Sequence, residues 1–393
     1  MRRIIQDAGD CAGPFDAELW ASHMLGTMWE QRTELPLDER EDYALIFGEP
    51  LVEGIARMGG PGARLALTAI AEVDDGELAL VARGLVDRLP ALESDPSWLP
   101  QVGQLTPTSA AVMREDDFDD GCTVFLEARH TAGDTHTVGV YIDNNLGVMA
   151  HDILLAESIE HVAEVIREHP SDDGELRLEP IEPAAAAARI LMAMDLTEMT
   201  LDAPVSEEYP ALRALATMFA GETPRLAFPE PQEMSIADRG ALLDEFLSAP
   251  EGRAFAADGE EAQAVSLAID FCADYVDGRP LRWSPGVVEM FMAGWMPDKV
   301  LADGDLLAAV PAALDAWVRF AGRKRGIPEW AIETTCAGIP GWRDEMMEAA
   351  KDPSSGGVAK QFLMAAQEAG IDVSDAKALT TFMAGWNARS TVT

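Results

Sequence analysis

A change of hydrophobic period in the middle of this chain restricts its fold more than any other feature. Residues 123–130 (Thr-Val-Phe-Leu-Glu-Ala-Arg-His) and 136–142 (His-Thr-Val-Gly-Val-Tyr-Ile) alternate with period two around a short loop from Thr131 to Thr135. Successive side chains of a strand point to opposite faces, so the alternation predicts a hairpin with one apolar face. Pairing His130 with His136 sets Val124, Leu126 and Ala128 opposite Ile142, Val140 and Val138 on that face. Asp143-Asn144-Asn145-Leu146-Gly147 tolerates left-handed backbone angles, and a third strand over about 147–155 is expected after it. Helices after Ser158 and around 183–196 are expected to cover the sheet.

Elsewhere the period is helical. Asp16 is a favourable N-cap before Leu19-Trp20, and Leu78, Val81, Leu85 and Leu89 recur at spacings of three or four. Gly221 to Met234 carries Pro224, Pro229 and Pro231 with little periodicity and reads as a linker. Beyond it, Ser235 with Asp238 resembles a capping box, and Ser284-Pro285 pairs an N-cap with proline at the first helical position. Val265, Ile269, Cys272 and Val276 form an apolar stripe, and Leu307, Val310, Leu314, Trp317 and Ala321 form another, in which Pro311 predicts a kink or restart.

The expected fold is therefore α+β and predominantly helical, with a small antiparallel β-meander in the middle segment. An N-terminal helical domain is expected over 1–110, the α+β segment over 111–223, a Pro-rich linker over 224–234 and a C-terminal helical domain over 235–393. Two echoes, Phe291-Met292-Ala293-Gly294-Trp295 with Phe382-Met383-Ala384-Gly385-Trp386 and Gly326-Ile327-Pro328-Glu329-Trp330 with Gly338-Ile339-Pro340-Gly341-Trp342, lack aligned flanks and do not make a solenoid.

With 393 residues, 48% of them apolar, the chain can bury a core in each of these parts. Its 69 acidic and 29 basic residues leave a net charge of −40, which repels phosphate backbones and anionic membranes. Direct nucleic-acid binding and membrane binding are not expected. Only five of the basic residues are lysines, which points to a GC-rich genome or a high-salt cytoplasm and makes much of the acidity general background. Cys11, Cys122, Cys272 and Cys336 form no CxxC pair and read as reduced core residues, and no stretch reaches the length of a membrane span. A cytoplasmic protein is expected.

Chemistry concentrates in the histidines, five of which, from His130 to His169, fall within forty residues. A two-residue turn at Asn144-Asn145 would put His151 opposite Val138, diagonal to His136, so that His130, His136 and His151 share one face. Three imidazoles plus water are a common catalytic zinc set, and Asp143 or Asp152 would complete or orient it. The plainer reading has His130 and His136 capping the open end of the hairpin, with His151, His161 and His169 solvated, since no HxH or HExxH spacing is present. The acidic run from Glu115 to Gly121 places Phe118 where a calcium loop needs an oxygen ligand, and reads as a solvated turn. Arg319, Arg323, Lys324 and Arg325 precede Gly326 at a helix end, where cations favour the carbonyl end of the dipole. Ser354 to Lys360 lacks the phosphate-loop spacing, and no GxSxG elbow or GxGxxG follows a strand.

The segments Asp16-Ala17-Glu18-Leu19-Trp20-Ala21-Ser22, Val140-Tyr141-Ile142-Asp143-Asn144-Asn145-Leu146-Gly147, Ala316-Trp317-Val318-Arg319-Phe320-Ala321 and Val358-Ala359-Lys360 resemble a family of uncharacterised cytosolic proteins from high-GC Gram-positive bacteria (actinobacteria). The resemblance spans most of the chain and implies that genomic background without bringing an activity. Such relatives often carry histidine where this chain has Asn144.

Three functional readings follow. The leading one is a non-catalytic interaction or regulatory protein that acts on a protein partner or a second copy of itself and needs no cofactor. The alternatives are a metal-dependent hydrolase holding a divalent ion on His130, His136 and His151, and an acidic decoy that imitates nucleic acid.

Overall fold

The computed structural model describes residues 1–114, 118–131, 133–168, 176–228, 233–350, 361–362, 365–366, 369–371 and 377–383. The chain divides into two units, Met1–Pro229 and Glu230–Thr393, and the division falls within the proline-bearing stretch 224–234. The fold class is α+β, predominantly helical, with one antiparallel sheet. Among the described residues no helix is long and apolar enough to cross a membrane.

The first unit begins with α1 (Arg2–Gly9), α2 (Pro14–Gln31), α3 (Tyr43–Met58), α4 (Pro61–Val73) and α5 (Glu77–Val86). Its sheet comprises β1 (Leu105–Arg114), β2 (Gly121–His130), β3 (Thr135–Asp143), β4 (Met149–Ala156) and β5 (Arg177–Pro180), in the order β4-β3-β2-β1-β5. Helix α6 (Ile159–Glu168) precedes β5, and α7 (Pro183–Met199) and α8 (Tyr209–Ala220) follow it.

Helix α2 starts two residues earlier than its expected cap. Gly13 occupies the N-cap, Pro14 supplies the preset φ of the first turn, and Asp16 reaches back to accept the Ala12 N–H at 3.0 Å. On α5 Leu78 is fully buried and Val81 and Leu85 are partly buried, and Leu89, beyond the end of the helix, is partly buried in the same cluster.

The hairpin forms, with its apolar face as expected and its register displaced by two residues. Ala128, not His130, pairs with His136, so Leu126 faces Val138 and Val124 faces Val140. The loop is the cause: His130 N donates to Asp134 O at 2.9 Å and Gly133 N to His130 O at 2.9 Å, which pulls His130 into the turn. A slip of two keeps parity, so Val124, Leu126, Ala128, Val138, Val140 and Ile142 remain fully buried on one face under α7 and α8.

The second turn is longer than two residues. Asp143 pairs with Met149, and the ladder is irregular between Tyr141 and Ile142, leaving His151 between the pairs Tyr141–Asp152 and Ile142–Ala150. Strand β1 was not expected, and residue 110, the expected edge of a separate helical domain, lies inside it. The N-terminal helices pack directly onto this part of the chain: α2 runs against α8, where Ser22 Oγ donates to Ala211 O at 2.7 Å and accepts the Leu215 N–H at 3.0 Å.

The second unit contains α9 (Ile236–Ser248), α10 (Glu260–Phe271), α11 (Pro285–Glu289), α12 (Met296–Lys299), α13 (Gly304–Arg325) and α14 (Glu329–Ala349). Ser235 and Ser284 cap α9 and α11 as expected, accepting from Asp238 N at 3.2 Å and Val287 N at 3.1 Å. Helix α13 runs unbroken through Pro311 rather than restarting. Val310 before the proline and Leu314 and Trp317 after it are all buried, so packing outweighs the one hydrogen bond that it removes. The aromatic-rich stretch Met290–Trp295 is π-helical, with Phe291 and Met292 in the core.

The short echoes perform different tasks. Gly326 ends α13 in the left-handed region at φ 74°, whereas Gly338 lies within α14. The end of the other echo, the acidic residues 115–117, His169 and the segment Ser354–Lys360 lie outside the described residues.

Candidate functional site

Two of the three candidate metal-ligating histidines are neighbours, and the third is held elsewhere. The rings of His130 and His136 lie 5.8 Å apart, edge to face. His130 is buried at the end of β2, and its Nε2–H donates to Glu18 of α2, with Oε1 at 3.0 Å and Oε2 at 2.9 Å. The Glu18 carboxylate is fully buried and also accepts the Gly103 N–H at 2.8 Å. His136 stacks on Phe15 at 3.7 Å between centroids, and burial followed by the neighbouring His130 charge lowers its pKa.

His151 turns toward the loop between α7 and α8, where its Nδ1–H donates to Pro204 O at 2.8 Å. Asp143 is likewise committed: its Oδ1 accepts from Asn145 N at 2.7 Å and Leu146 N at 3.3 Å, closing the turn, and burial raises its pKa. Asp152 accepts the hydroxyl of Ser206 and the N–H of Ile153. Among the described residues, no group of three or more His, Cys, Asp or Glu is arranged to hold a metal ion. His130 and His136 thus contact Glu18 and Phe15 of α2, His151 the α7–α8 loop, and Asp143 its own turn.

The basic segment at the end of α13 is also engaged. Arg319 bonds Asp315 and Glu333, Arg323 bonds Glu251 at 2.7 Å, and Lys324 bonds Glu245.

A groove in the first unit brings together residues that the sequence scatters. Its central hollow, about 460 Å³, lies between the start of α3, the α4–α5 turn and helices α7 and α8. A second hollow of about 340 Å³ shares Glu41, Tyr43 and Glu198 with it, and a third of about 710 Å³ shares Asp74 to Glu77, Thr217 and Arg225. The three hollows adjoin at these shared residues and are taken together as the groove.

Arg213 of α8 is the hub. Its Nη2 donates to the Tyr43 hydroxyl and its Nη1 lies 3.5 Å from Glu198 Oε1. Trp29 of α2 donates its indole N–H to the same Glu198 carboxylate, at 3.0 and 2.8 Å from the two oxygens. Arg32 covers the Trp29 ring, its guanidinium carbon 3.2 Å from the centroid. Burial alone would lower the pKa of Arg213, but the Glu198 carboxylate carries it upward. Burial pushes the Tyr43 hydroxyl up to about 12, so it stays a neutral phenol.

Seven carboxylates and two arginines line the central hollow. Both arginines are already paired, Arg213 with Glu198 and Arg225 with Asp195 at 3.3 Å and Asp75 at 3.7 Å. Asp74 accepts the N–H groups of Gly76 at 3.1 Å and Ala79 at 2.8 Å, yet burial, joined by the charge of Asp75, raises its pKa. Burial raises Asp195 as well. A raised carboxylate marks a place where added positive charge would be favourable.

The only local signal for this groove is Asp74-Asp75-Gly76-Glu77, which reads as the polar start of a helix. The other lining residues come from α3, α7, α8 and beyond, with no spacing that links them. Comparison of the chain with family models, with curated proteins and with solved structures finds no match.

Proposed function

We propose that this chain is a non-catalytic, cytoplasmic interaction protein whose working surface is the groove of the first unit, and that the groove accepts a cationic ligand. The observation that carries the reading is the excess of carboxylates in a concave site whose arginines are already neutralised by partners. In a recess walled by protein, field lines concentrate and like charges repel more strongly than on an open surface. A cation relieves that repulsion, whereas an anion meets it. The Trp29–Glu198–Arg213–Tyr43 cluster ties α2, α3, α7 and α8 together beside the groove. The free thiols of the four cysteines fit a reducing compartment.

The test is calorimetric titration of the full chain with spermine and with tetralysine at low salt, and again at about 0.3 M salt, where the screening length falls below ~6 Å. Binding at low salt that weakens at least about tenfold on adding salt is expected. It should also weaken in the variant Glu41→Gln/Asp42→Asn/Glu77→Gln. Absence of binding by both cations at low salt, or binding indifferent to that variant, overturns the reading.

A further inference from the structure

The hollow beside the acidic one differs in character. Leu37, Met199 and Leu201 line it and are 64%, 72% and 63% exposed, although each is large and apolar. Single exposed apolar residues are ordinary, but three on the wall of one recess mark a contact surface. That wall is held in place: Arg40 donates to Leu35 O at 3.2 Å and Thr33 O at 3.1 Å and lies 3.3 Å from Asp202, and Thr200 Oγ1 donates to Leu196 O at 2.8 Å. Met199 adds an unbranched, adaptable side chain that suits a partner side chain better than a small rigid ion. Tyr43 and Glu198 line both hollows, so the two recesses adjoin at these side chains.

From this adjacency we infer that the occupant is a segment of a partner protein carrying a lysine or arginine within a few residues of a large apolar side chain. The basic group enters the carboxylate-lined hollow, and the apolar one covers Leu37, Met199 and Leu201. A polyamine satisfies the first hollow and leaves the second in water. This inference rests on the cation-accepting reading above and adds the chemical class of the ligand.

The experiment uses the full chain and fluorescence anisotropy with labelled nine-residue peptides in which an arginine pair and one leucine are set at every spacing. Matched peptides replace leucine with serine or the arginines with glutamine, and spermine is the small-cation control. The best arginine-and-leucine peptide should bind at least about tenfold tighter than its serine match, the scale set by covering one aliphatic side chain. In Leu37→Ser/Met199→Ser/Leu201→Ser, which alters exposed side chains only, that advantage should vanish while spermine binding stays unchanged. Equal binding of leucine and serine peptides, or an advantage that survives the triple variant, overturns the inference and leaves the cation site standing. Failure of every cationic probe, spermine included, overturns both.

Discussion

Glu18 and His130, 112 residues apart in sequence, face each other at 2.9 Å with side chains 0% and 1% exposed. The pair fastens α2 to the end of the hairpin, and Glu18 holds the loop before β1 through Gly103 N. Removing one member of a buried pair strands the other without solvent, which costs about 3–5 kcal/mol. Glu18→Ala and His130→Ala are therefore expected to lower urea-unfolding stability by that order, and Glu18→Gln, which still accepts hydrogen bonds, by less. A loss under about 1 kcal/mol in both alanine variants would contradict this account.

The stacked His136 gives stability an acid-sensitive component. Burial lowers its pKa from the ordinary 6.5, so the native state takes up its proton less readily than the unfolded chain. Stability from this group is complete well above pH 6.5 and falls as pH drops through that value toward the folded pKa. His136→Gln should flatten the dependence of the unfolding midpoint on pH between 7 and 5. Parallel curves for the two proteins would show that His136 does not contribute.

Gly26 sets the distance between α2 and α8. A Cβ there would lie 2.3 Å from Pro210 O and 2.8 Å from Ala211 Cα, so Gly26→Ala must push backbone against backbone. A destabilisation of about 1–3 kcal/mol is expected from such overpacking. Because Arg213 lies one turn along α8, the same variant should weaken cation binding in the groove; calorimetry on the folded variant checks this. Wild-type stability in Gly26→Ala would refute the close approach.

Asp74 is expected to be a cost at neutral pH. Burial raises its folded pKa above 3.8, so its ionised form is disfavoured in the native state, and the penalty persists until pH falls through the folded value. Asp74→Asn keeps an oxygen for the Gly76 and Ala79 N–H groups and removes the charge. Its melting temperature at pH 7 should exceed that of the wild type, with the difference shrinking toward pH 4. A lower melting temperature at pH 7 would show that the carboxylate is stabilising.

The buried face of the hairpin was legible because period two is decided residue by residue, and it survived a register error of two because parity is all that the face requires. The register depended on hydrogen bonds within the His130–Asp134 turn, which alternation does not encode. Strand β1 escaped notice since Pro107 interrupts its pattern beside an irregularity between Pro107 and Ser109, the setting in which a strand tolerates proline. The caps at Ser235 and Ser284 were legible because capping is local. The groove was not: Tyr43, Asp74, Asp195 and Arg213 meet only after four helices pack, and in a chain of net charge −40 its carboxylates look like background.

The hydrogen bond from Ser22 to Ala211 spans 189 residues, and it sets a schedule for synthesis. A ribosome adding ~5–20 residues per second needs on the order of ten seconds or more between making one partner and making the other. Over that interval the small-residue face of the amphipathic segment that ends up beneath Ala211 has nothing to dock on. Nascent chains that end before α8 should therefore expose that face to chaperones and proteases, although α1–α5 share a core that needs little later sequence.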